Sequence, residues 1–164
     1  MKKDPIRVTE IERAKFDWLA EHLRTYVETG GTEGHIMDLS DAGGLPFTTC
    51  LLLKTIGRKS GIARLAPLIY GDTGGEVVIV ASRGGADIHP AWYFNITAGK
   101  TLDFQIATQA YRASWREAKG SEREEIWAFM QKLYPPFNNY QATTERVIPV
   151  IVMTPQERIE VFTN

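Results

Sequence analysis

Three apolar runs, residues 51–53, 65–70 and 77–81, are separated by short segments built on the pentads GRKSG (57–61) and GDTGG (71–75). Pentads of this kind are turn sequences. Connectors so short cannot hold the crossover that parallel strands need. The stretch from Cys50 to Asn95 therefore predicts a three-stranded antiparallel meander, and the rest of the fold must be built around it. Its charge is lopsided. No acidic residue stands between Asp41 and Asp72, yet Lys54, Arg58, Lys59 and Arg64 do, in a chain of net charge -1. The first turn can expose backbone N–H groups beside Arg58, Lys59 and Ser60, a combination that suits a phosphate or carboxylate. It also fits a solvated hairpin.

Upstream, residues 10–28 set Phe16, Leu19, Ala20, Leu23, Tyr26 and Val27 on one face at the helical period, with Trp18 off that face. Gly30-Gly31 is a suitable stop, and residues 32–46 read as a loop-rich approach. Downstream, Pro90 suits the first turn of a short helix over 90–98. Residues 102–107 and 111–118 predict a second hairpin, with Leu102, Phe104 and Ile106 alternating on the buried face. Ser121 and Glu124 form a capping box for a helix to about Tyr134. The pair Pro135-Pro136 is expected to break that helix, leaving an aromatic loop over 134–140. An apolar strand over 147–153 closes the sheet before Pro155, with Pro149 at an edge or bulge. The sum is an α+β barrel of mainly antiparallel strands with helices packed on it. Residues 1–44 form a helix-and-loop arm and 45–164 the barrel, one structural domain overall.

Composition narrows the function. The pI near 6.3 argues against general nucleic-acid binding, so a local basic cluster points to a small anion. The lone Cys50 sits in an apolar strand and reads as a buried, inert thiol, in keeping with a cytoplasmic location. No apolar run approaches the ~20 residues of a membrane helix. Peripheral contact through the first helix, at the inner face of a membrane, stays open, as do monomer and homodimer. His22, His35 and His89 lack further ligands at metal-like spacing, so no metal is assigned. There is no dinucleotide fingerprint, P-loop or nucleophile elbow. A protein without such groups can still be a catalyst when a cofactor carries the reactive atom.

Three ordered blocks carry a resemblance: Thr55-x-GRKSG-x-x-Arg64-x-x-Pro67-Leu68-x-Tyr70, then Val80-Ala81-Ser82-Arg83-Gly84-Gly85, then His89-Pro90-Ala91-Trp92-Tyr93-x-Asn95. Over about residues 45–155 the chain resembles the deazaflavin-dependent nitroreductase family, split β-barrel enzymes of the FMN-binding-protein-like type that use coenzyme F420. The resemblance implies hydride transfer from the reduced coenzyme to a small-molecule acceptor, a quinone, nitroaromatic or activated enone. It implies that Arg58, Lys59 and Ser60 grip the coenzyme's phosphate and acidic tail, supported by Lys54 and Arg64. Pro67, Leu68, Ala81, Ser82, Arg83, Gly84 and Gly85 would line the ring and its ribityl chain, with Trp92 and Asn95 beside it. Substrate contacts would come from Tyr70, Tyr134, Tyr140 and Ser82. Arg83 stands where lysine is common, and Phe137 where relatives can carry a tyrosine, which makes the acceptor pocket more apolar. An FMN-dependent split-barrel oxidoreductase and a non-catalytic coenzyme carrier are the alternatives.

Overall fold

A computed structural model describes residues 17–99 and 102–163. Phe16, on the predicted helix face, lies outside the described residues. Helix α1 (Asp17–Glu28) is followed by the two-residue β1 (Ile36–Met37) and the meander β2 (Thr48–Ile56), β3 (Ala63–Asp72) and β4 (Val77–Val80). Then come α2 (Ala91–Ala98), the hairpin β5 (Leu102–Ile106) and β6 (Gln109–Glu117), helices α3 (Gly120–Leu133) and α4 (Pro136–Ala142), and β7 (Val150–Ile159). The sheet order β2-β3-β4-β7-β6-β5 closes because β5 also pairs with β2, and every pairing is antiparallel. The result is a six-stranded barrel, with β1 added beside β2.

The sequences of β4 and of the first four residues of β7 are continuously apolar because both faces of the barrel wall are covered there. Val77, Ile79, Ile151 and Met153 point into the barrel with Leu51, Leu53 and Phe104. Their neighbours Val78, Val80, Val150 and Val152 point outward, beneath Met130, Tyr134 and Phe137 of the α3–α4 region. Cys50 and Leu52 face outward on another side, beneath Leu23, Tyr26 and Val27 of α1. The Tyr26 side chain is fully buried. Its hydroxyl accepts the Ala107 N–H at 2.8 Å and lies 3.2 Å from the Cys50 carbonyl, which pins α1 to the barrel. Burial pushes the Cys50 thiol up to about 12, and Sγ–H donates to the Gly34 carbonyl, as suits an inert thiol.

The sequence reading departs from the structure in three places. Helix α3 begins at Gly120 with Lys119 before it and no side-chain cap, so Ser121 already lies inside the first turn and the capping box does not form. The segment after Tyr134 is not a loop. Pro135 and Pro136 stand at the start of α4, where a fixed φ and a missing N–H cost nothing. Finally, β7 begins after Pro149 and runs through Pro155. The proline is accommodated opposite Ala113, at the register shift between Arg112 and Ala113, so the bulge belongs to Pro155.

Candidate functional site

The ladder between β3 and β4 ends at the pair Tyr70–Ile79, while β3 extends seven residues further toward Ala63. Where β4 leaves, a mostly apolar cavity of about 210 Å³ opens over Ala66, Pro67, Leu68 and Ile69 of β3. Its other walls are Val80, Ser82, Arg83 and Gly84 at the end of β4, and Pro90, Ala91 and Trp92 at the start of α2. Leu19 of α1 and Phe137 and Tyr140 of α4 also line it. The split in the barrel is thus a slot bounded by three helices.

The wall after β4 is conformationally unusual. Ser82 is right-handed helical (φ -79°, ψ -34°), and Arg83, Gly84 and Gly85 follow with φ of 45°, 63° and 85°. A right-handed residue followed by a left-handed one turns successive N–H groups into a common concavity, a form of anion site. Gly85 is obligatory for packing as well as for φ. A Cβ there would lie 2.2 Å from Thr143 Oγ1 and 2.8 Å from the Tyr140 carbonyl oxygen.

The basic turn is held rigidly. The Gly57 N–H donates to the Ile62 carbonyl and the Gly61 N–H to the Gly57 carbonyl, both at 2.8 Å. Asn95 Oδ1 accepts from the Arg58 N–H at 3.1 Å and from Arg58 Nη1 at 3.2 Å, and its Nδ2 donates to Thr55 Oγ1 at 3.2 Å. Asn95 is buried. It therefore shapes the turn and does not line the cavity. The Arg58 guanidinium also lies 5.1 Å from the Phe94 ring centroid. Trp92 and Asn95 are three residues apart on the buried face of α2, so the turn is displaced from the cavity by about 4.5 Å of helix rise. Lys59 and Ser60 are exposed at its tip. Arg64 stands across the ladder from Thr55. Lys54 is elsewhere: it shares the outward face of Cys50 and Leu52, and its Nζ lies 5.5 Å from the Phe162 ring centroid.

Of the residues singled out from sequence, Pro67, Leu68, Ser82, Arg83, Gly84, Trp92 and Tyr140 meet at the cavity. Ala81 belongs to the barrel core. Tyr134 is only 2% exposed and packs on Phe137, ring centroids 5.1 Å apart. Burial pushes its phenol well above the ordinary value, and neighbouring Tyr140 adds to the shift. Tyr70 does not line the cavity either; its hydroxyl sits 2.6 Å from His35 Nε2. Sequence reasoning missed Leu19, whose helical spacing marks it as an ordinary core position, and Arg146, which belongs to no motif. The Arg146 guanidinium donates to the carbonyls of Ala81, Ser82 and Ala86, and to His89 Nδ1.

The chain resembles known proteins over most of its length. The family description "F420H(2)-dependent quinone reductase" matches residues 18–155. An F420H(2)-dependent quinone reductase of Mycobacterium tuberculosis is 29% identical over 136 residues, covering 81% of this chain and 87% of that protein. A solved F420-H2 dependent reductase is 39% identical, with 63% of this chain and 92% of that one covered, at a TM-score of 0.59. A second solved structure, described as a domain-swapped dimer, is 36% identical, with 84% and 97% covered and a TM-score of 0.62.

Proposed function

The chain belongs to the F420H(2)-dependent quinone reductase family, and on that footing we propose that it reduces a quinone with coenzyme F420 bound in the split of the barrel. The observation that carries this reading is the alignment along α2 of an apolar slot and a rigid basic turn, about one helical turn apart. The residues fit the coenzyme. Pro67, Leu68 and Trp92 offer apolar surface to a flat ring. The concave turn that starts at Ser82 offers N–H donors, and Arg58, Lys59 and Ser60 suit the phosphate and acidic tail. Arg64 supports that cluster. Lys54, on the outward face of β2, contributes charge at longer range.

When bound, the reduced coenzyme supplies a hydride from its central ring. Tyr140, on the α4 wall of the slot, donates a hydrogen bond to a quinone oxygen as negative charge develops there. Tyr134 acts through Tyr140, whose phenol it adjoins. Phe137 and Leu19 hold the acceptor's apolar faces and exclude water, which favours quinones over polar nitro compounds. One hydride and one proton complete the quinol. Among the described residues no helix is long and apolar enough to cross a membrane.

Titration of the purified protein with coenzyme F420 and, separately, with FMN tests the reading. Tight binding of F420 that weakens with salt, and weaker binding of FMN, is expected. Tighter binding of FMN, or no binding of F420, would overturn it.

A further inference from the structure

We propose that Arg146 is a positioning residue for the coenzyme. From behind the turn at residues 82–85, it holds that turn in its ligand-accepting shape and aims the turn's backbone donors into the slot. The inference rests on the reading of the slot as the coenzyme site. Its starting point is strain. Arg83 is one of only two non-glycine residues with positive φ among those described, and it opens a run of three left-handed residues. Such a conformation persists only where the surroundings over-determine it. Here one planar guanidinium does so. Nη1 donates to the Ala81 carbonyl at 3.2 Å, Nη2 to the Ser82 carbonyl at 2.8 Å, and Nε to the Ala86 carbonyl at 2.6 Å. The grip therefore brackets the strained run on both sides. A lysine in the same place has one nitrogen and cannot span three carbonyls.

The direction of the peptides follows. No peptide bond is cis among the described residues, and in a trans peptide the carbonyl and the next N–H point opposite ways. Drawing the Ala81 and Ser82 carbonyls toward Arg146 turns the N–H groups of Ser82 and Arg83 to the other side. Ser82 and Arg83 line the slot, whereas Arg146 does not. The positive charge also polarises both peptides, strengthening those N–H groups as donors. Arg146 is itself fixed from α4, because Gln141 Nε2 donates to its carbonyl at 2.8 Å and Gln141 Oε1 accepts the Ile148 N–H at 3.0 Å. The wall of the slot that bears Tyr140 and the wall that bears Ser82 are thus tied through Gln141 and Arg146. His89 completes the set. A guanidinium can only donate, so His89 Nδ1 accepts at 2.9 Å and the ring is the neutral Nε2–H form.

The test is the affinity of coenzyme F420, read by the fluorescence of the deazaflavin, for the intact protein, Arg146→Lys and Thr143→Val. The Thr143 hydroxyl shares its one proton between the Tyr140 carbonyl at 2.8 Å and the Gly85 carbonyl at 3.1 Å, the latter at the far end of the same turn. Arg146→Lys is expected to raise the coenzyme dissociation constant at least tenfold, with kcat at saturating coenzyme changed less than threefold. Thr143→Val is expected to raise it about threefold. Arg146→Lys that folds and binds within twofold of the parent would overturn the proposal. Should that variant not fold, amide exchange of the unaltered protein decides: coenzyme is expected to slow exchange at Ser82 and Arg83 at least tenfold, and unchanged exchange would refute the aim assigned to those N–H groups. Parent protein that binds no F420 would instead refute the coenzyme reading on which the proposal rests.

Discussion

Asn95 separates anchoring of the basic turn from its charge. Asn95→Asp keeps the acceptor that holds the Arg58 N–H and Nη1, and the Thr55 hydroxyl can donate to the carboxylate where it now accepts from Nδ2. The turn stays anchored, so stability is expected to change by no more than about 1 kcal/mol, or about 2–4 °C for a domain of this size. With the coenzyme tail on this turn as proposed, however, the charge beside it falls by one unit. For an anionic group about 7 Å from the new carboxylate, an effective dielectric between about 20 and 80 gives about 0.6–2.4 kcal/mol of repulsion. Coenzyme affinity at low salt is then expected to drop about 3- to 60-fold, and the difference to vanish in 1 M salt, where the screening length is about 3 Å. Asn95→Leu behaves differently. It strands the Arg58 N–H and the Thr55 hydroxyl, and is expected to cost about 1–3 kcal/mol of stability. Fluorescence titration and thermal melts of both variants make the comparison. If Asn95→Asp binds the coenzyme like the parent at low salt, the turn does not hold the anionic tail.

Tyr140→Phe is expected to slow quinone reduction about tenfold or more while leaving coenzyme affinity unchanged, because the lost donor acts on charge that develops only in the transition state. Tyr134→Phe is expected to have the smaller effect, its ring being buried beside Phe137; steady-state rates on one quinone rank the two. Glu76 accepts two hydrogen bonds from Arg116 and one from Thr154, which hold its carboxyl down at about 2. A folded-state value below the ordinary 4.5 gives stability that is present above about pH 4.5 and lost as pH falls toward 2. Glu76→Gln is therefore expected to melt lower than the parent at pH 7 and to converge with it near pH 2. Tyr26→Phe orphans the part-buried Ala107 N–H, and a denaturant midpoint lowered by the equivalent of about 1 kcal/mol is expected.

The meander was legible because two glycine pentads left no room for any connection but a hairpin, and β2, β3 and β4 follow. The second hairpin was legible from the alternation of Leu102, Phe104 and Ile106, paired as expected with β6. Helix α4 was not, because a proline pair breaks one helix and begins the next with equal ease. Pro155 was read as a stop because the bulge that tolerates it is a property of the pairing with β6. At the site, Ser82, Arg83 and Gly84 were visible as a small-residue block with a cation. Asn95 was visible as a residue but not in its role, since its partners lie 37 and 40 positions away. Arg146 grips backbone carbonyls as far as 65 positions upstream. Carbonyls are common to every residue type, so nothing in the side-chain sequence announces such a grip.

Anaerobic turnover measures directly whether the split in the barrel passes a hydride from coenzyme F420 to a quinone. Reduced F420 and a quinone are mixed with catalytic amounts of the protein, and the absorbance of oxidised F420 is followed together with the quinol. The expected result is one quinol for each coenzyme oxidised, at a rate proportional to protein concentration and depressed by Tyr140→Phe. Absorbance that returns no faster with the protein than without it, while F420 is bound, would contradict the claim and leave the slot a binding site without chemistry.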